Sequence, residues 1–195
     1  WARVGGLIGD TRDDTIAQAL VDIDSTVTAT GGSPAVGGLI GYGANVHVDR
    51  SASHAEVASV DNTNAGAYVL AGGLIGWADD DTTAIQDAYA AGDVSAIAGS
   101  GRNDFPALGG LIGATDGRSV RPSIQRVYAF GSVSQTGFVA PLALGSLVGV
   151  DNDYNILRAF YDDTVANPAV PSITNATSDD TALDDTQQKQ FASYA

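Results

Sequence analysis

The chain has 195 residues, 23 acidic against nine basic side chains, a formal net charge of −14, and neither Cys nor Met. Such a surface excludes nucleic-acid phosphate and anionic membranes as partners, because both require basic patches. No apolar run approaches the ~20 residues of a membrane helix, so direct membrane insertion is not expected.

From the N-terminus the first element is "VGGLIG", closing at Gly9. It returns as "VGGLIG" closing at Gly41, "AGGLIG" at Gly76, "LGGLIG" at Gly113 and "LGSLVG" at Gly149. The first glycines, Gly5, Gly37, Gly72, Gly109 and Gly145, are separated by 32, 35, 37 and 36 residues. A near-constant period of this size belongs to a solenoid, propeller or array whose units bury apolar surface against one another. About a dozen residues after the block comes a second element, clearest in "AIQDAYAAGDVSA" (84–96) and "SIQRVYAFGSVSQ" (123–135). Short Val/Ile/Tyr/Thr runs broken by Gly, Asn, Asp and Ser are strand and turn signals rather than an amphipathic helix. The expectation is an all-β, elongated β-solenoid of about five 32–37-residue GGLIG repeats over 1–165, followed by a linker and cap over 166–195.

The repeat assigns roles to its columns. Leu7, Leu39, Leu74, Leu111 and Leu147 stand beside Ile8, Ile40, Ile75, Ile112 and Val148. Neighbours in a strand face opposite sides, so one column should line the core and the outer Ile row should meet another wall, subunit or layer. Gly5, Gly9, Gly37, Gly41, Gly72, Gly76, Gly109, Gly113, Gly145 and Gly149 suit tight turns, positive φ and close backbone approach. Ser146 replaces the second Gly of the last block, so that position does not strictly demand Gly. Tyr89, Tyr128 and Phe160 align as a ladder read as core packing.

These blocks, with "YAAGDVS" and "YAFGSVS", resemble the GLUG-motif repeat family of large secreted and cell-surface proteins, which includes adhesin-like proteins and the non-catalytic repeats of some surface peptidases. The resemblance covers about residues 1–165. It implies a β-rich stacked repeat in an extracellular or cell-surface setting and brings no catalytic residue with it.

Beyond the repeats, "ANPAVPSITNATSDD" (166–180) is a Pro-punctuated linker. Asp184 or Asp185 can then cap a short helix carrying Phe191 and Tyr194 on one face, closing the last coil. Asn175 heads an N-glycosylation triplet. The other end starts inside a repeat, as a processed chain or a piece of a longer one would. Its incomplete coil offers a strand edge for β-augmentation, and head-to-tail addition there would give a filament.

Chemical candidates are few. The acidic turns "DTRDD" (10–14), Asp79, Asp80 and Asp81, and Asp151, Asn152 and Asp153 offer the oxygen ligands calcium favours, and no other cofactor is implied. Tyr42 and Trp77 follow the block at the same offset; if the turns stack, the two are neighbours placed to grip a sugar face or partner protein. His47 and His54 form no recognisable catalytic motif with any nucleophile, so no enzyme is expected. The composition has 22 Asp, one Glu, eight Arg and one Lys, a bias suited to concentrated salt, where screening over a few ångströms removes self-repulsion. The functional expectation is a structural or adhesive surface module of a halophile that assembles with itself, head-to-tail or laterally, or attaches to another surface protein or glycan. The alternative is a monomeric adhesin stalk or glycan-binding module of a larger surface protein.

Overall fold

The computed structural model describes residues 1–61, 68–79, 83–98, 105–116, 123–137, 143–150, 155–162 and 179–183. These residues build an all-β solenoid of about four turns, with no helix among them. The proposed capping helix and Asn175 lie outside the described residues.

Each turn visits four walls in order, and every strand pairing is parallel. Wall A stacks Arg3–Gly5, Ala35–Gly37, Tyr68–Gly72, Phe105–Gly109 and Ala143–Gly145. Wall B stacks Ile8–Arg12, Ile40–Ala44, Ile75–Asp79, Ile112–Asp116 and Val148–Val150. Wall C is the longest, running from Thr15–Ala17 and Leu20–Val21 through His47–Asp49 and Ala52–Ser53, then Ala84–Ala90, Ser123–Ala129 and Asn155–Asp162, to Asp179–Leu183. Wall D stacks Thr26–Thr30, Glu56–Asp61, Val94–Ala98 and Val133–Thr136. Asp179–Leu183 thus places a strand against the last long strand of wall C, part of it within the segment read from sequence as linker.

The GGLIG blocks stack in perfect register. Gly5 pairs with Gly37, Gly37 with Gly72, Gly72 with Gly109, and Gly109 with Gly145. The uneven repeat length is absorbed between walls: Thr30 to Ala35 corresponds in register to Val60 to Leu70.

The Leu and Ile columns do not divide between inside and outside. Leu39, Leu74, Leu111, Leu147, Ile40, Ile75 and Ile112 all have no exposed surface and belong to one core cluster. The reason is a corner between walls A and B at the Gly-Leu pair, which breaks strand alternation. There the Leu74 carbonyl accepts from both the Leu39 N–H (2.9 Å) and the Ile40 N–H (3.0 Å), and the Leu147 carbonyl likewise serves Leu111 and Ile112. One carbonyl for two successive donors means that the chain pivots there, turning both side chains inward. The Ile row expected to face away from the core, toward another wall, subunit or layer, therefore belongs to the same core as the Leu row.

The block glycines act through space rather than through backbone conformation. Positive φ among described glycines occurs only at Gly31 and Gly137, outside the blocks. A Cβ on Gly37 would overlap the Ile40 carbonyl and lie 2.7 Å from the Gly76 nitrogen. A Cβ at Gly110 would overlap the Ser146 carbonyl of the next coil. Ser146 occupies the same column and is itself buried.

Wall C bends at a column of left-handed residues: Gln18 (φ 57°), Arg50 (45°), Asp87 (52°), Arg126 (52°) and Arg158 (53°). The register skips Asp87 and Arg126, so side-chain parity changes there. Ile85 and Ala88 consequently both point to the core, while Tyr89, Tyr128 and Phe160 are only half-buried and outside the core cluster. That aromatic ladder, with Tyr128 and Phe160 stacked at 5.6 Å, is surface packing rather than the core packing expected from its spacing.

Candidate functional site

Among the described residues, grooves run along the outside of two regions. The first follows the angle between walls A and B, where a second apolar cluster of Ala35, Leu70, Ala107 and Ala114 forms apart from the main core, joined by Trp77, Ala143 and Val150. Its open part has a volume of ≈490 Å³, with small alanines as floor and Trp1, Tyr68 and Trp77 as walls. Asp116 and Pro106 also line it.

Stacking of the turns brings Tyr42 and Trp77 together, since they are in-register partners on adjacent coils. Their rings meet edge to face at 5.1 Å. Trp1 packs on Trp77 at 5.3 Å and on Tyr68 at 6.3 Å, so four aromatic rings form a continuous patch.

The rings are not equivalent. Tyr42 is only 2% exposed, whereas Trp1 and Tyr68 are 65% and 55% exposed. The Tyr42 hydroxyl donates to Asp79 Oδ2 at 2.6 Å and receives the Arg12 guanidinium at 3.1 Å, and the Arg3 guanidinium covers its ring at 3.8 Å. Burial, then the Asp79 carboxylate, pushes its hydroxyl pKa up to about 12. Tyr42 is thus a fixed support behind Trp77, and contact with any ligand would fall to Trp77, Trp1 and Tyr68.

Trp1 and Tyr68 were missed in the sequence, although a signal existed. Four residues before each first glycine stand Trp1, Ser33, Tyr68, Phe105 and Pro141. That column becomes visible once the blocks are aligned, and the structure pairs Tyr68 with Phe105 in register.

The second groove, ≈570 Å³, follows the bend of wall C between the left-handed column and the tyrosine ladder. Its charges are largely satisfied within the ridge. Arg126 makes a bidentate pair with Asp87 (2.6 and 2.8 Å), and Arg50 meets Asp49 at 2.8 Å. The Arg126 hydrogen bond holds the Asp87 carboxyl below the usual carboxylate range. Burial, then the Asp87 charge, raises the Tyr128 hydroxyl.

The remaining candidates do not converge. His47 is exposed on wall C, while His54 lies beyond the Arg50 bend with Nε2 3.0 Å from the Tyr89 hydroxyl. Asp79 lies beside Asp116 on the next coil. No group of three or more His, Asp or Glu side chains able to hold a metal occurs among the described residues. Asp80, Asp81, Asp151, Asn152 and Asp153 lie outside them.

No family model matches the chain, so its likeness to GLUG repeats rests on the repeated block itself. No solved structure matches either. Over 163 residues, 78% of its length, the chain is 33% identical to halomucin from Haloquadratum walsbyi, and the match spans 2% of that protein.

Proposed function

We propose that the chain is a non-enzymatic structural and adhesive module of an extracellular or cell-surface protein, built to stack solenoid coils against one another. The carrying observation is the register, in which every described strand pairing is parallel and the five blocks stack glycine on glycine. Leu7 is 54% exposed, whereas its column mates Leu39, Leu74, Leu111 and Leu147 are at 0%. Leu20 and Ile23 of the same coil are also exposed. A further parallel coil would cover these residues, whether it comes from the same chain or head-to-tail from another molecule. The likeness to halomucin supports a surface setting, and the Asp-rich, Lys-poor composition supports a protein that works in concentrated salt.

Light scattering after size exclusion, with negative-stain electron microscopy, tests the reading in molar salt. The native chain should associate in a concentration-dependent way, and Leu7→Arg should not. A native chain that stays monomeric at high concentration rejects coil stacking between molecules. It would favour a second reading, a spacer within a longer surface protein, which the match to a small part of halomucin supports.

Calcium at the sequence stretches Asp79–Asp81 and Asp151–Asp153 is a separate proposal, resting on their oxygen-rich composition. Calcium should raise Tm and chelation lower it; an unchanged Tm rejects the ion.

A further inference from the structure

We infer that the groove between walls A and B is a saccharide-binding site for neutral or amino-bearing glycans. This gives the adhesive part of the proposed function its ligand class, and it requires only an intact solenoid, not association between molecules. Trp77, Trp1 and Tyr68 form one contiguous patch beside the apolar floor of Leu70, Ala107 and Ala114. An exposed apolar patch of this kind, framed by polar groups, marks a binding surface.

The polar frame identifies the occupant. Asp116 lines the groove, and Asp79 is its register partner on the preceding coil. An ionised carboxylate is an acceptor only, with about four lone-pair positions, so it suits a ligand edge that carries donors. The fitting ligand has flat C–H faces for the rings and hydroxyl or ammonium donors around its edge. A sugar ring has both. Uronates and sulfated glycans are disfavoured by the Asp116 carboxylate and by the net charge of −14.

The side chains are held ready before a ligand arrives. Tyr42 is anchored by Arg12 and Asp79 and braces Trp77 edge to face. A braced aromatic loses little freedom on binding, which favours affinity. The second groove lacks this arrangement because Arg126 and Asp87 are spent on each other.

The test is calorimetric titration of the full chain in molar salt with cellotetraose, the chitosan tetramer and tetragalacturonate, after light scattering has established the chain's association state. Saturable binding of cellotetraose or the chitosan tetramer, stronger than that of tetragalacturonate, is expected. Trp77→Ala should weaken it by roughly tenfold or more, as loss of a central aromatic anchor does. Tyr68→Ala removes an exposed ring without opening the core and should weaken it several-fold with Tm unchanged. Binding by a monomeric chain would separate this site from coil stacking, and stacking without binding would overturn the site alone. The inference also fails if no saccharide saturates, if tetragalacturonate binds best, or if Tyr68→Ala and Trp77→Ala leave affinity intact.

Discussion

The hexapeptide VGGLIG occurs twice without a change, at 4–9 and at 36–41, in two different environments. In the second copy all six residues are buried; in the first, none is, and Leu7 is largely exposed. Identical local sequence therefore fixes the corner, while stacking on both sides fixes the burial. Stability in such a molecule is a sum over neighbouring coils rather than a property of one core.

The strongest way to sharpen this contrast is at the closing glycines. A Cβ on Gly41 would lie 2.5 Å from the Val4 nitrogen and 2.6 Å from the Gly9 carbonyl, all backbone, whereas on Gly9 it meets only Arg3 backbone, its oxygen at 2.7 Å. Gly41→Ala should therefore cost roughly 3 kcal/mol or more and Gly9→Ala clearly less, read by chemical denaturation. Next comes the Leu column. Leu39→Ala should cost about 2–5 kcal/mol, against roughly 1 kcal/mol or less for Leu7→Ala. Equal losses in the two copies would break the comparison.

Smaller effects separate the grooves. Tyr42→Phe removes a hydroxyl bonded to Asp79 and Arg12 and should cost about 1 kcal/mol. Because the folded hydroxyl titrates near 12, above its ordinary value of 10.0, the stabilisation is complete below pH 10 and is lost as pH rises toward 12. The variant should lack that alkaline step in a denaturation series. Arg126→Gln should have the least effect at neutral pH. With Asp87 held low by Arg126, its contribution is present above the usual carboxylate range and is lost as pH falls through it, so the variant should be less acid-sensitive than the native chain.

Much of the fold was legible because the glycine blocks are in-register markers; aligning them gave the columns, and the pairing of Tyr42 with Trp77 followed. Two features were not legible. The Leu-Ile corner defeats strand alternation through a shared carbonyl, which leaves no compositional trace. The wall C bend sits at Gln18, Arg50, Asp87, Arg126 and Arg158, side chains with no shared preference for left-handed backbone, so the inside-outside reading of Tyr89 and Tyr128 failed. At the candidate site, Trp77 was visible from its offset, while Trp1 and Tyr68 needed the column four residues before the blocks. Tyr42's burial depends on Arg3 and Arg12, one coil away, and no local pattern carries that.

The central claim is parallel stacking in the stated register, and disulfide trapping tests it most directly because the chain has no Cys of its own. Thr26 and Glu56 are exposed register partners on wall D. Adjacent strands lie about 4.8 Å apart, within disulfide reach, whereas Thr26 to Ala58, two residues further along, is about 8 Å and beyond it. Thr26→Cys with Glu56→Cys should oxidise readily and leave Tm unchanged or raised, and Thr26→Cys with Ala58→Cys should stay reduced. Efficient cross-linking of the second pair, or of neither, would contradict the stacked solenoid.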